Sequence, residues 1–488
     1  MIIAVDIGTT STKVILFDAK GVVIFHVSEN YPTIHTDGLR SEQNPELIYA
    51  AVIKGLDDCL EHNADSKIIE GVCFSSAMHA LIAVDANCQA LTPCIIWSDN
   101  RAYKEAEELN RNEILADEIY KISGTPIHSM SPLTKLIWLK KNQPEIFNAA
   151  HKFIGIKEYV LWRLTGKFVV DYSIASATGL LDIQTKNWSK KCLDLVGITA
   201  NQLSDLVSPY HKITVSNDFI FKNTRLTINN QQLITIVIGG SDGGLANWGS
   251  GAHAIGDAVI SIGTSGAMRL LSDKPFFDAE RRTFSYVFDE NLYLIGGGTN
   301  AGAGVLQWLH DSFLGLSDSM SDFLKLAESI PIGSDNLLFL PYINGERAPL
   351  WDAHVRGSFL CMSALHTRAH AVRAAMEGVI FHLNLLNQIL KESHNITRII
   401  AGGGFAHSVT WIQILSDIFD ATIEIAETVE ISALGAAMVG AKALELSELP
   451  NPDINATYVP HSENVEQYKS HQKRFIEAYT VVKNISRA

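Results

Sequence analysis

Two short glycine-threonine turns recur in this chain, Asp6-Ile7-Gly8-Thr9-Thr10 and Ser261-Ile262-Gly263-Thr264-Ser265-Gly266, each at the end of a β-branched apolar run. Ile2-Ile3-Ala4-Val5 reads as a buried strand and Thr12-Lys13-Val14-Ile15-Leu16-Phe17 as its antiparallel partner. The first turn therefore presents backbone N–H groups and two hydroxyls toward one point, where an anion fits. Ala258-Val259-Ile260 leads into the second turn and Ala267-Met268-Arg269-Leu270-Leu271 leaves it, repeating the device without a carboxylate at the Asp6 position. The same hairpin built twice predicts a phosphate grip built twice.

The chain of 488 residues exceeds one ordinary core, and its 47% apolar content supplies two to three domains. A formal charge of -14, from 53 acidic and 39 basic side chains, opposes any electrostatic grip on nucleic acid. A small anion can still be held in a locally positive cleft. The six cysteines, Cys59, Cys73, Cys88, Cys94, Cys192 and Cys361, form no C-x-x-C pair and no zinc-like cluster with histidine. They read as scattered reduced thiols, which suits a cytoplasmic protein. With no run of 18 apolar residues and no basic segment before the short apolar start, the chain is expected to be neither secreted nor membrane-spanning.

Along the first half, Val22-Val23-Ile24-Phe25 predicts a third strand. Pro45 opens a helix whose apolar stripe is Leu47, Ile48, Ala51, Val52, Leu56 and Leu60. Gly71-Val72-Cys73-Phe74 is a short buried strand ending in Ser75-Ser76-Ala77-Met78-His79. Residues about 100 to 215 are more helical and polar, and are expected to form an insertion beside the sheet. The second half is expected to open at Leu233-Ile234-Thr235-Ile236-Val237-Ile238, which ends in Gly239-Gly240-Ser241-Asp242-Gly243-Gly244. The pattern then restarts: hairpin, a strand at Leu292–Ile295, helix and strand. The chain reads as a duplicated α/β unit with domains 1-245 and 246-488.

The order of these features resembles the ribonuclease H-like, actin-type ATP-binding fold: two α/β domains related by duplication, with a cleft between them. Within that superfamily the sequence resembles the FGGY carbohydrate kinases over essentially its whole length. The run from Met130-Ser131-Pro132-Leu133-Thr134-Lys135 to Asn142 looks like one family signature. Gly345-Glu346-Arg347-Ala348-Pro349-Leu350-Trp351-Asp352, continuing to Arg356-Gly357-Ser358-Phe359, looks like the other. Phe74–His79, Trp97-Ser98-Asp99-Asn100-Arg101, Gly124–His128, Ile154–Tyr159 and Val170–Ser173 are most similar to the gluconate kinase branch. Xylulose kinases share the Met-His and Trp-x-Asp-x-Arg patterns.

The resemblance implies phosphorylation of a sugar or sugar acid by ATP with Mg²⁺, D-gluconate first and xylulose or another pentulose or polyol as the alternative. Asp242, a carboxylate at a strand end flanked by four glycines, can approach a substrate hydroxyl unobstructed and accept its proton, and it matches the family's catalytic aspartate. Read alone it is equally a turn aspartate. Asp6 would hold water around Mg²⁺ together with Asp242, or cap the hairpin. Gly8, Thr9, Thr10, Gly263 and Thr264 would meet nucleotide phosphates, while Lys13 either adds charge or is a solvated strand residue.

Gly402-Gly403-Gly404-Phe405-Ala406-His407-Ser408 follows a strand and precedes the stripe Trp411, Ile412, Leu415, Ile418 and Phe419. It lacks dinucleotide G-x-G-x-x-G spacing. The resemblance puts Gly404 and Ser408 against the adenosine, with Ala303 and Gln307 as further nucleotide contacts. For the sugar it selects Met78, His79, Trp97, Asp99 and Arg101, each with a bland core or ion-pair alternative. A substrate carboxylate needs a cation, and His79, Arg101, His128 and Lys135 are the candidates. The partners expected are a sugar acid and ATP, with no nucleic acid and no membrane, and the assembly entertained is a homodimer. An actin-like or chaperone-type ATPase, or a sugar-binding regulator that has lost catalysis, are the alternatives of other classes. The intact Asp242 and both phosphate turns argue against the regulator.

Overall fold

The structure, a computed structural model, describes residues 1–62, 68–216, 233–427 and 430–486. The Gly-Thr turns close the hairpins expected of them. In the first sheet β1 (Ile2–Ile7), β2 (Ser11–Phe17), β3 (Val23–Asn30), β4 (Gly71–Ser76), β5 (Lys212–Ser216) and β6 (Leu233–Ser241) run in the order β5-β6-β4-β1-β2-β3. β1 is antiparallel to β2, in the register Asp6 opposite Lys13, and parallel to β4.

The second sheet holds β7 (Asp257–Ile262), β8 (Gly266–Ser272), β9 (Phe284–Val287), β10 (Tyr293–Thr299), β11 (Arg398–Gly402), β12 (Ile423–Ala426) and β13 (Ile454–Tyr458), in the order β9-β10-β8-β7-β11-β12-β13. Its directions repeat those of the first: β7 is antiparallel to β8 and parallel to β11, and β11 is parallel to β12. Each sheet thus carries a buried central strand with a hairpin on one side and parallel neighbours on the other, which is the expected duplication.

The strand at residues 233–238 does not open the second half. It extends to Ser241 and pairs with β4 inside the first sheet. Sequence order misleads here because the two halves attach their last antiparallel strand differently. β5 precedes β6 along the chain, whereas β13 follows β12. Part of the stretch expected to stand beside the sheet also belongs to it. β5 is an edge strand, and Tyr159, Val160, Leu161 and Leu164 of the helix Ile156–Thr165 share the core of β1 and β4. The helices Tyr103–Arg111, Glu113–Ser123 and Pro132–Asn142 build a separate core around Leu109, Ile119, Leu136 and Phe153.

The helix Pro45–His62 buries Ile48, Ala51, Val52, Leu56 and Leu60, but Leu47 of the expected stripe faces solvent. Between the sheets, the helices Asp242–Gly249 and Ile431–Ala443 pack on one another. Their Leu245, Trp248, Ala436 and Ala437 join Ala4, Phe17 and Val237 of one sheet with Leu271 and Leu294 of the other in a shared core. All six cysteines are free thiols, five of them buried. No helix among the described residues is long and apolar enough to cross a membrane.

Candidate active site

Asp242 begins the helix Asp242–Gly249, whose N-cap is Ser241: the Ser241 hydroxyl accepts from Gly244 N–H at 3.2 Å. Its own Oδ1 accepts from Gly243 N–H at 2.7 Å. Burial raises its proton affinity, with Arg269 and the Gly243 bond working in the opposite direction. A buried network fixes the strand end behind it. Lys157 pairs with Asp171 and donates to Ile238 O at 3.3 Å, and Ser173 donates to Asp171 at 2.5 Å while accepting from Ser241 N–H at 2.8 Å. The chain approaches β4 so closely here that a Cβ on Gly239, at φ +65°, would stand 1.8 Å from Phe74 O.

Two cavities meet at Asp242. The larger, about 790 Å³, is lined by Asp6 and Lys13 from the first sheet, by Gly403, Ala406 and His407 from the glycine turn, and by Glu430. The smaller, about 280 Å³, is lined by Thr9, Met78, His79, Trp97, Tyr286 and Arg347. Asp242, Ser261 and Arg269 border both. A group handed from one cavity to the other passes this carboxylate.

In the larger cavity, Asp6 accepts from Ser75 Oγ at 2.6 Å. Burial, against the pull of that bond and with repulsion from Asp242, raises its pKa to about 6. Lys13 pairs with Glu430 at 2.6 Å, so its charge is already matched. The two Gly-Thr turns are closed on themselves: Gly8 N–H donates to Ser11 O and Gly263 N–H to Ser265 O, both at 3.0 Å. Thr10, Gly263 and Thr264 are exposed. The N–H groups of Ala303 and Gly304 clasp the second turn, donating to Gly263 O and Thr264 O at 2.7 and 3.0 Å. Gln307 is exposed and bonded to Asp311, and Ser408 caps the helix Val409–Phe419 through Trp411 N–H. Gly404, open on its Cα side, neighbours the cavity through Gly403.

In the smaller cavity, Trp97 Nε1 donates to Thr9 Oγ1 at 2.9 Å, which places Thr9 at this cavity and not with Asp6 and Lys13 at the larger one. His79, at φ +65°, bonds through Nδ1 to Ala177 O at 2.8 Å. Burial, then nearby Lys135, depresses its pKa to about 3, so it stays neutral. Asp99 and Arg101 do not line this cavity. Asp99 accepts from Ser41 N–H at 2.7 Å and from the forked Arg101 guanidinium, Nε and Nη2 each at 2.8 Å, and Arg101 also pairs with Glu42. They hold the loop that carries Trp97.

The other expected cations are also committed. Lys135 donates to the carbonyls of His79, Ile95 and Ile96. Burial holds its pKa down to about 7. His128 is half-buried, its pKa pushed by desolvation to about 3, and accepts from Met130 N–H. Arg269 and Arg347 are the cations that sequence reading missed. Arg347 stood inside the Gly345–Asp352 run, which was its signal, whereas Arg269 was read as a strand residue.

Comparison with known proteins decides the family. Residues 1–249 match the N-terminal domain of the FGGY family of carbohydrate kinases, and residues 258–444 match its C-terminal domain. The chain is an FGGY carbohydrate kinase. This kinase is 40% identical to the gluconokinase of Bacillus subtilis (strain 168), over 99% of its own length and 96% of that protein. It is 30% identical to the xylulose kinase of the same organism, over 100% and 98%. Among solved structures, the gluconate kinase and the ligand-bound xylulose kinase from Lactobacillus acidophilus each superpose with a TM-score of 0.93 at 34% identity, covering 99% of this kinase and 98% of each.

Proposed function

We propose that this kinase transfers the γ-phosphoryl group of ATP to D-gluconate, giving 6-phospho-D-gluconate and ADP, with Asp242 as general base. The observation that carries this reading is that Asp242 borders both cavities. One has the volume and glycine turn for a nucleotide, and the other is a polar and aromatic chamber for a short polyol. The acceptor hydroxyl oxygen bonds to the γ-phosphorus, its proton passes to the Asp242 carboxylate, and the bridging oxygen leaves with ADP. The raised proton affinity of Asp242 suits that task.

Asp6 and Asp242 face the larger cavity and repel each other. Among the described residues no cluster of three or more His, Cys, Asp or Glu side chains could hold a metal ion by itself. Two carboxylates suit a Mg²⁺ ion that keeps its water and takes phosphate oxygens, and the ion would supply charge neutralisation of the phosphates. A cytoplasmic location accords with six free thiols.

Gluconate is favoured over xylulose by the higher identity to gluconokinases, 40% against 30%. A coupled ADP-release assay with Mg-ATP tests this choice. kcat/KM for D-gluconate is expected to exceed that for D-xylulose by at least about 10²-fold, the scale of one lost charge-assisted contact. Equal or better turnover of xylulose would overturn the acceptor assignment and favour a pentulose kinase.

A further inference from the structure

The smaller cavity is unusual in its charge. Two guanidinium groups, Arg269 and Arg347, line it against a single carboxylate, Asp242, and its histidine is neutral. Arg347 is held rigidly: Nε donates to Asn300 Oδ1 at 2.8 Å and Nη2 to Thr299 O at 2.9 Å, with the guanidinium carbon 4.9 Å from the centre of the Trp97 ring. Glu346 stands behind it and accepts from the backbone N–H groups of Asn300 and Arg347, not from the guanidinium. Nη1 remains, next to Gly298 on the cavity wall.

Arg269 lies against Gly243, where a Cβ would stand 2.6 Å from its Nε. That Nε is buried with no hydrogen-bond partner, and Nη1 makes only a long 3.4 Å bond to Ser261 Oγ. An unpartnered buried donor is costly, and a guanidinium is a planar fork shaped for an oxyanion. The other cations considered, Arg101 and Lys135, have their protein partners already, and His128 is neutral.

Resting on the reading of the acceptor as a sugar acid, we propose that Arg347 and Arg269 together form the seat for the substrate's carboxylate and determine the choice of an aldonate over a neutral sugar. A carboxylate supplies acceptor oxygens for Arg269 Nε and Arg347 Nη1 and cancels the excess positive charge of the chamber. A neutral polyol of the same length would leave the excess positive charge uncancelled and is disfavoured for that reason.

The test is calorimetric titration of the nucleotide-free protein with D-gluconate and with D-glucitol, which keeps six carbons but has an alcohol in place of the carboxylate. Wild type is expected to bind gluconate at least about 10²-fold more tightly. Arg347→Gln and Arg269→Gln should each weaken gluconate about 10- to 100-fold and glucitol by less than about 3-fold. Should Arg347→Gln not fold, Arg347→Lys must still weaken gluconate more than glucitol, because an ammonium cannot reproduce the fork. A variant that keeps the wild-type ratio overturns the seat. So does an Arg269→Gln variant with unchanged gluconate affinity and lowered kcat, since that arginine would then serve the phosphoryl group. A wild type with no preference for gluconate removes the acceptor reading itself, whereas a preference that neither variant disturbs removes only the seat.

Discussion

Gly435→Ala tests whether the crossing of the two central helices positions Asp242, the proposed base. Along Ile431–Ala443, a Cβ at Gly435 would lie 1.9 Å from Leu245 O, 2.7 Å from Leu245 C and 3.0 Å from Gly249 N; a Cβ at Gly249 would lie 1.9 Å from Ile431 O. All of these neighbours are backbone, so no rotamer change relieves the clash. A comfortable C···O separation is about 3.3 Å, which requires the helices to part by about 1.4 Å. On an isolated helix alanine is better than glycine by about 1 kcal/mol, but overpacking of this size costs about 3 kcal/mol. The balance is a loss of about 2 kcal/mol. Leu245 is less than one turn from Asp242, so the displacement reaches the base, and a misplacement of about 1 Å lowers kcat by about 10²-fold. Urea-unfolding midpoints and steady-state kcat measure both effects. A variant as stable and as active as wild type would refute the reasoning.

Asp242→Asn should lower kcat by about 10²- to 10⁴-fold while calorimetry finds ADP affinity within about 3-fold of wild type, because the amide keeps the shape but accepts no proton. Asp6 gives a pH signature. Its pKa rises on folding from 3.8 to about 6, so the folded state binds the extra proton. Its destabilising contribution is therefore absent below 3.8, grows between 3.8 and 6, and is complete above 6, at no more than about 3 kcal/mol. Asp6→Asn should stabilise the ligand-free protein at pH 7 to 8, with a gain that shrinks as the pH falls from 6 toward 4. Chemical denaturation across that range would expose a pH-independent difference if the argument is wrong.

The hairpins were legible because β-branched runs bounded by Gly-Thr turns have few other ways to fold. The place of Asp242 at a strand end was legible from the apolar run before it, whereas its glycines also serve packing: a Cβ on Gly239 would meet Phe74 O and one on Gly243 would meet Arg269. The strand at 233–241 was misplaced because chain order says nothing about which sheet a strand joins, and the two halves add their outer strand in opposite order. Asp99 and Arg101 stood in a suggestive sugar-binding pattern, yet their i, i+2 spacing lets the guanidinium fork back onto the carboxylate, so they satisfy one another. Lys135 donates to the carbonyls of residues 79, 95 and 96. Those oxygens converge only through the packing of the helix Pro132–Asn142, which no local pattern contains. Arg269 and Arg347 are 78 positions apart along the sequence. Only the tertiary fold brings them to one chamber.

The duplication also lets the two strand ends at the larger cavity be compared place by place. Asp6 and Ser261 occupy matching places, one residue before the last of β1 and of β7, and both line the larger cavity. The first half keeps a carboxylate there and a second one, Asp242, after β6. The second half has a hydroxyl at the matching place, and after β12 its acids are Glu427 and Glu430, the latter tied across to Lys13 at 2.6 Å. Glu430 is ion-paired, whereas Asp242 has no ion pair within 4 Å among the described residues and burial raises its proton affinity above that of an ordinary carboxylate. Two nearly symmetric strand ends therefore face the same space with unequal chemistry. Under the proposed function, the unpaired carboxylate, which borders both cavities, is the one placed to take the acceptor's proton.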